Sequence, residues 1–391
     1  MPSASGSRHF LLASLIALLL SSSFFYLRGH PVLPHDAPPE RNAEVARSVW
    51  RALSLQPPEF LALREDLSRL SRERHEAINQ DIFSLGSRGQ LFPKHSLISG
   101  VVGAPFYGVF GEAGFWILQQ ILALLLFYST FRITSLLGHR DTGVATLLSV
   151  GVLSETLTGL FCYMYSYDLH GVVLLVCGLH LMYARPRWGS ALVMLSLFVR
   201  PTYALLVPFV LCAWRGMPQR AAHPRDIMLG AGSVLCLYLL VNALMWGGPL
   251  VTAYHRVVAF GPDGEVFIEH HPQGLNLNVL LSDWGHKLFD SHVGLLPFNP
   301  VLIGFPWVCA WAWRCDHRWF ALSTLTGSVL YGLYMFSYER WEASYVGNRF
   351  ILPSVYLYLL SFIPWFSNLL ESVRAAHAPR KLAGSSPAVP T

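Results

Sequence analysis

The chain has 391 residues, of which 53% are hydrophobic and 13% charged, and its mean hydropathy is +0.41. Soluble globular chains carry about 25% charged residues, so roughly half that amount excludes an ordinary soluble enzyme, a disordered polymer and a nucleic-acid binder that works through a basic face. The formal net charge of +5 is modest, and its placement along the chain says more than its size.

An apolar run of about 18 or more residues crosses about 30 Å of hydrocarbon as a helix. The first such run, Phe10–Leu27, follows a short tail with Arg8 and lacks a small-x-small cleavage site. It is read as an uncleaved signal anchor, with a cleaved signal peptide as the competing reading. Residues 28–114 then form a long first outer loop. Phe60, Leu63, Leu67 and Leu70 recur there at helical spacing among charged residues, and Val45, Val49 and Leu53 make a shorter stripe. The pattern predicts amphipathic juxtamembrane helices. Behind them come Asp81 and then Lys94-His95, just before an apolar run containing Gly103–Gly111. A compact cation at a membrane entry is placed to meet a phosphate at headgroup depth.

The central bundle, 115–246, is expected to hold spans at Phe115–Leu137, Val144–Tyr163, Gly171–Ala184 and Ile227–Trp246. Between the last two, Ala191–Trp214 is long enough for one span, yet arginines flank both ends: Arg185 and Arg187 before, Arg215, Arg220 and Arg225 after. Loops on the cytoplasmic side are the ones enriched in Lys and Arg, so both ends belong to one side. Pro201 disfavours helix at Arg200, which predicts two short helices that enter and return. A second outer loop, 247–296, precedes the C-terminal spans of 297–371 (Pro297–Trp313, Phe320–Ser337 and Phe350–Leu370), and 372–391 is expected to be a disordered cytoplasmic tail. The fold class is an all-α polytopic membrane protein of about ten membrane segments, one of them a short helical hairpin, with both termini cytoplasmic.

Charged groups inside a bilayer mark function or a paired structural site. Glu155 falls within a span and is read as a satisfied polar group. Asp168, Arg200 and Arg349 fall at the outer end of the bundle. For Asp168 and Arg349 the alternatives are a binding site and a structural ion pair; for Arg200 they are a site and a cap on the hairpin tip. The six cysteines lie in or beside spans without Cys-x-x-Cys spacing. The second outer loop carries His255, His270, His271, His286 and His292, with no spacing that suits zinc, and no metal ligands are assigned.

Five stretches in this order resemble the GT-C membrane glycosyltransferases, in their protein mannosyltransferase and aminoarabinose transferase branch. They are Lys94-His95 ahead of Ala104–Gly111, Phe198–Thr202 with its Arg200-Pro201, Asn242 to Tyr254 with Trp246–Leu250 inside, Gly294–Pro300, and Trp341 with Gly347, Arg349 and Pro353. The resemblance implies a GT-C-like bundle in the plasma (inner) membrane that moves a sugar from a polyprenyl-phosphate carrier to a lipid, glycan or protein acceptor on the outer, periplasmic face. It implies membrane lipids and no nucleic acid as partners. A first-loop acid would be the base: Asp81 first, with Glu44 or Asp36 as alternatives, because the family's Asp-Glu pair is replaced here by Asp36–Glu44 without adjacent acids. By the same resemblance Asp168 would support the acceptor or a divalent cation, Lys94, His95, Arg200 and Arg349 would hold the carrier phosphate, and Trp341 and Tyr345 would line the sugar pocket. Rival readings are a flippase for the lipid-linked sugar and a non-catalytic GT-C-like scaffold of envelope glycan assembly.

Overall fold

A computed structural model describes residues 83–88, 91–94, 96–137, 165–217, 224–260, 266–269, 275–291, 294–315, 317–338 and 349–377. The signal anchor, the two amphipathic stripes, the span expected over Val144–Tyr163 and residues 378–391 lie outside these residues; residues 372–377, expected in the disordered tail, instead continue the last helix, Leu352–His377.

Helices α1 (Leu97–Phe110) and α2 (Ala113–Leu136) form a hairpin. Ser96 caps α1 by accepting from the Ser99 N–H at 3.1 Å. The turn between them passes through Gly111 at φ 59° and ψ −143°, a conformation that side chains resist. Helix α3 (Tyr167–Ala184) is capped by Ser166, which puts Asp168 in the first turn, where a carboxylate suits the positive end of the helix.

The next stretch breaks where the proline requires it. Helix α4 (Pro186–Leu195) opens on a proline and runs through a 3₁₀ turn to Arg200. Arg200 is extended, at φ −147° and ψ 129°, as a following proline imposes. A second 3₁₀ stretch (Pro201–Leu205) leads into α5 (Val207–Arg215) and then, further on, α6 (Pro224–Trp246). The second loop holds short helices α7 (Leu277–Leu281) and α8 (Trp284–Phe289). The bundle closes with α9 (Leu295–Phe298), α10 (Phe305–Ala312), α11 (Arg318–Phe336) and α12 (Leu352–His377).

Three of these helices, α2, α3 and α6, are long and apolar enough to cross a membrane. The continuous span expected over Pro297–Trp313 is instead broken into α9, a 3₁₀ turn (Pro300–Gly304) and α10. Pro297, Pro300 and Pro306 each remove a backbone donor there, so no single helix survives.

Packing shows the hairpin turning back. Gly189 of α4 lies against Met182 of α3, Tyr203 lies against Gly171, and Gly216 at the end of α5 lies against Phe320 of α11. Gly230 of α6 meets the Arg187 carbonyl, and Ser190 Oγ donates to the Ile227 carbonyl at 3.0 Å. These contacts gather Arg185, Arg187, Arg215, Arg225 and Arg318 at one end of the bundle. Three exposed tryptophans, Trp188 (65%), Trp313 (70%) and Trp319 (63%), sit beside arginines at that same end. Arginines and amphipathic indoles at one level are the pattern of a membrane–water interface.

The outer loops depart from the all-α expectation. Four short strands, β1 (Phe83–Leu85), β2 (Leu91–Pro93), β3 (Val257–Phe260) and β4 (Val266–Glu269), form one antiparallel sheet in the order β2-β1-β3-β4. Ser84 pairs with Val257, so strands from both large loops share the sheet. The strand signal is present in the sequence: β-branched and aromatic runs, Val257–Phe260 and Val266–Glu269, flank Gly261-Pro262-Asp263-Gly264. The sheet rests on the last turn of α6, where Trp246 Nε1 donates to Ser84 Oγ at 3.0 Å and the Ser87 N–H donates to the Met245 carbonyl at 2.9 Å.

Close backbone approach between α3 and α4 requires Gly189. A Cβ there would lie 2.3 Å from Met182 N and 2.6 Å from the Gly178 carbonyl oxygen, whereas one at Gly232 would meet open space. Gly189→Ala should therefore lower stability by about 1–3 kcal/mol. Gly232→Ala, with the same gain in helix propensity, should not. Thermal unfolding of both variants in detergent checks this.

Candidate functional site

Helix α3 rises 1.5 Å per residue, so its first turn stands about 26 Å from Arg185, close to the thickness of the hydrocarbon core. At that far end Asp168 and Arg200 meet. Arg200 Nε lies 2.8 Å from Asp168 Oδ1, and the two residues are 7% and 0% exposed. The N–H of Nε does not point along that line, so the contact is an ion pair rather than an aligned hydrogen bond. Arg200 Nη2 donates to the Tyr167 hydroxyl at 2.7 Å. Its guanidinium carbon also lies 4.8 Å from the Tyr167 ring centre and 4.6 Å from that of Phe350. Ser166 Oγ approaches the other carboxylate oxygen at 3.5 Å, and the Tyr203 hydroxyl donates to the Asp168 carbonyl at 3.4 Å.

Arg200, expected at a carrier phosphate, lies against Asp168 and two rings at the hairpin tip. Asp168, expected to support an acceptor or a divalent cation, faces Arg200. Among the described residues no three His, Cys, Asp or Glu side chains gather to hold a metal. His255 bonds locally to Thr252, and His286 pairs with Asp290 at 3.1 Å.

Lys94 lies on the loop side of this pair. It is 6% exposed, and its Nζ stands 5.5 Å from the centre of the Tyr254 ring. Burial pushes the Tyr254 hydroxyl well above the usual phenol range, while Arg200, within electrostatic reach, pulls the other way. The phenol therefore stays protonated at neutral pH. Lys94, Asn242, Trp246, Tyr254, Val199 and Pro201 are among the residues around a cleft of about 40 Å³, room for two or three waters. Asp168 and Arg200 are not in its wall; they stand behind Val199 and Pro201.

Three of the stretches singled out in the sequence thus line one cleft. They are Lys94 with Ser96, the residues flanking Arg200, and Asn242 to Tyr254. The cleft also borders α6, which leaves Leu237, Leu240 and Leu244 exposed on its outer face. A fourth stretch supplies Asn299, but its side chain donates to the Leu295 carbonyl at 3.0 Å and stabilises its own turn. From the fifth, the 3₁₀ turn Arg349–Ile351 brings Phe350 onto Arg200. Glu44, Asp81, His95, Trp341 and Tyr345, like Asp36 and Glu155, lie outside the described residues. Sequence motifs miss Tyr167, which accepts from Arg200, and Tyr203, which holds the Asp168 backbone carbonyl; the signal for the first is a tyrosine adjoining a charge at a span end, and the second carries none beyond lying three positions after Arg200.

Compared with known proteins, the chain matches no family model, no curated protein and no solved structure. Fold and composition define its class: a helical membrane protein, with a small sheet from its two loops resting on one end of the bundle.

Removing one member of a buried ion pair costs about 3–5 kcal/mol, because the other charge is left uncompensated. Asp168→Leu and Arg200→Met should each destabilise the protein on that scale. The double variant Asp168→Leu/Arg200→Met should recover most of the loss. A double-mutant cycle of thermal stabilities in detergent measures the coupling.

Proposed function

We propose that this protein is an integral membrane glycosyltransferase of GT-C type that moves a sugar from a polyprenyl-phosphate carrier to an acceptor at the outer face. The reading rests on one observation above all: Lys94, Val199 with Pro201, and Asn242 with Trp246 and Tyr254 line a single cleft. These stretches are far apart in sequence and are the same ones that resemble the family. The cleft lies at the end of the bundle away from the arginines and beside a helix with an exposed apolar face, where a lipid-borne headgroup arrives from the side.

In this reaction the bond between the sugar's anomeric carbon and the carrier phosphate oxygen breaks, and a bond to the acceptor oxygen forms with inversion. A first-loop carboxylate, Asp81 or Glu44, takes the acceptor hydroxyl proton. Negative charge grows on the departing phosphate, and the Lys94 ammonium is the cation set to meet it. The Tyr254 phenol, kept protonated, donates beside it. Arg349 and His95 are further candidates for the phosphate, and Trp341 and Tyr345 for the sugar. Asp168 and Arg200 act at one remove: their pair holds the hairpin tip, and the tip carries Val199 and Pro201 into the cleft wall. A glycosyl phosphate is larger than the present cleft, so the sheet that rests on α6 has to shift for the carrier to enter.

The mutual neutralisation of Asp168 and Arg200 also favours a second reading, a GT-C-like scaffold without chemistry. Membranes supplied with a labelled polyprenyl-phosphate sugar separate the two. Wild type should transfer label to an acceptor, and Lys94→Met should slow transfer about 10²-fold, the scale of losing one charge-stabilising donor. Asp81→Asn should also slow it. Equal transfer by wild type and both variants sinks the mechanism, and carrier crossing without a covalent product points to a flippase.

A further inference from the structure

Arg132 lies in the last turns of α2, toward the arginine-rich end and far from the cleft. Helix α2 exposes Ile121, Leu125 and Tyr128, and Arg132 continues that line at helical spacing. The neighbouring face of α3 is polar at the same height. Ser129 Oγ donates to Cys177 Sγ at 3.2 Å, which leaves His180 Nδ1, 3.4 Å away, to donate to the Ser129 oxygen. The Tyr128 ring meets the His180 ring edge-on at 5.7 Å. His180 stands within electrostatic reach of Arg132 and, neutral or protonated, brings it no negative charge.

Arg132 has no carboxylate opposite it among the described residues, and its Nε is buried without an acceptor. A buried guanidinium donor left unmatched is costly, and at a membrane edge it is satisfied by an anion that resides there. Guanidinium forks match phosphate oxygens. Below Arg132 the exposed line of Tyr128, Leu125 and Ile121 runs toward the bilayer centre, along the path of an acyl chain. A free anion in water gains nothing from that stripe; a lipid does.

We propose that Arg132, with the Tyr128 hydroxyl, binds the phosphate of an anionic phospholipid at the arginine-rich end, one acyl chain lying along Leu125 and Ile121. This site is separate from the cleft and independent of the proposed reaction.

The test uses the full chain purified in a zwitterionic detergent. Phosphatidylglycerol should raise the unfolding temperature of wild type by a few degrees, the scale expected for a ligand well above its Kd. Phosphatidylcholine and inorganic phosphate should not. Arg132→Gln should lose the shift, and Arg132→Lys should keep part of it. An equal shift in wild type and Arg132→Gln overturns the proposal, as does an equal effect of inorganic phosphate. Should Arg132→Gln not fold, native mass spectrometry of wild type decides: an anionic phospholipid adduct that survives detergent washing is expected, and its absence overturns the site.

Discussion

A guanidinium placed at the tip of a helical hairpin, within about 30 Å of apolar thickness, has to be neutralised where it stands. Arg200 is neutralised by Asp168 at 2.8 Å and flanked by the rings of Tyr167 and Phe350. The consequences extend outward from this contact. It ties the hairpin to the first turn of α3 and brings the start of α12 to the same point through Phe350. It also fixes the backbone of Val199 and Pro201, which form part of the cleft wall. A helix N-terminus is a favourable place for the carboxylate, and the Ser166 cap secures it there.

The loops build the rest of the site on that base. The sheet draws strands from the first and second outer loops together and seats them on Trp246, at the end of α6. Lys94 follows β2 directly and Tyr254 precedes β3 by a few residues, so strand pairing between the loops brings a cation and a protonated phenol to one cleft. Lys94 and Asp168 differ in kind as a result. One lies in the wall of an opening; the other is sealed behind it in partnership with Arg200.

Much of the bundle was legible residue by residue. Uninterrupted apolar runs marked α2, α3 and α6, and the Arg200-Pro201 step marked the chain reversal, because a proline restricts the residue before it wherever it occurs. The arginine pattern implied that the ends of α3, α4, α5 and α6 share one side, and their packing gathers them there. Pro297, Pro300 and Pro306 break the expected span for the reason that Pro201 breaks the hairpin, because the missing donor and the ring act wherever a proline falls. The strand pattern of Val257–Phe260 and Val266–Glu269 is just as local, and it runs against the helical composition of the whole chain.

By itself the sequence determined the solvent, the helix positions and the level of the charges, because hydropathy, proline geometry and arginine placement act locally along the chain. The tertiary structure decided which charges meet. Asp168 and Arg200 are 32 positions apart, and Lys94 and Tyr254 are 160 apart. No local rule selects such partners; they are chosen by how helices pack and how two loops pair, with the added requirement that a buried charge find its opposite.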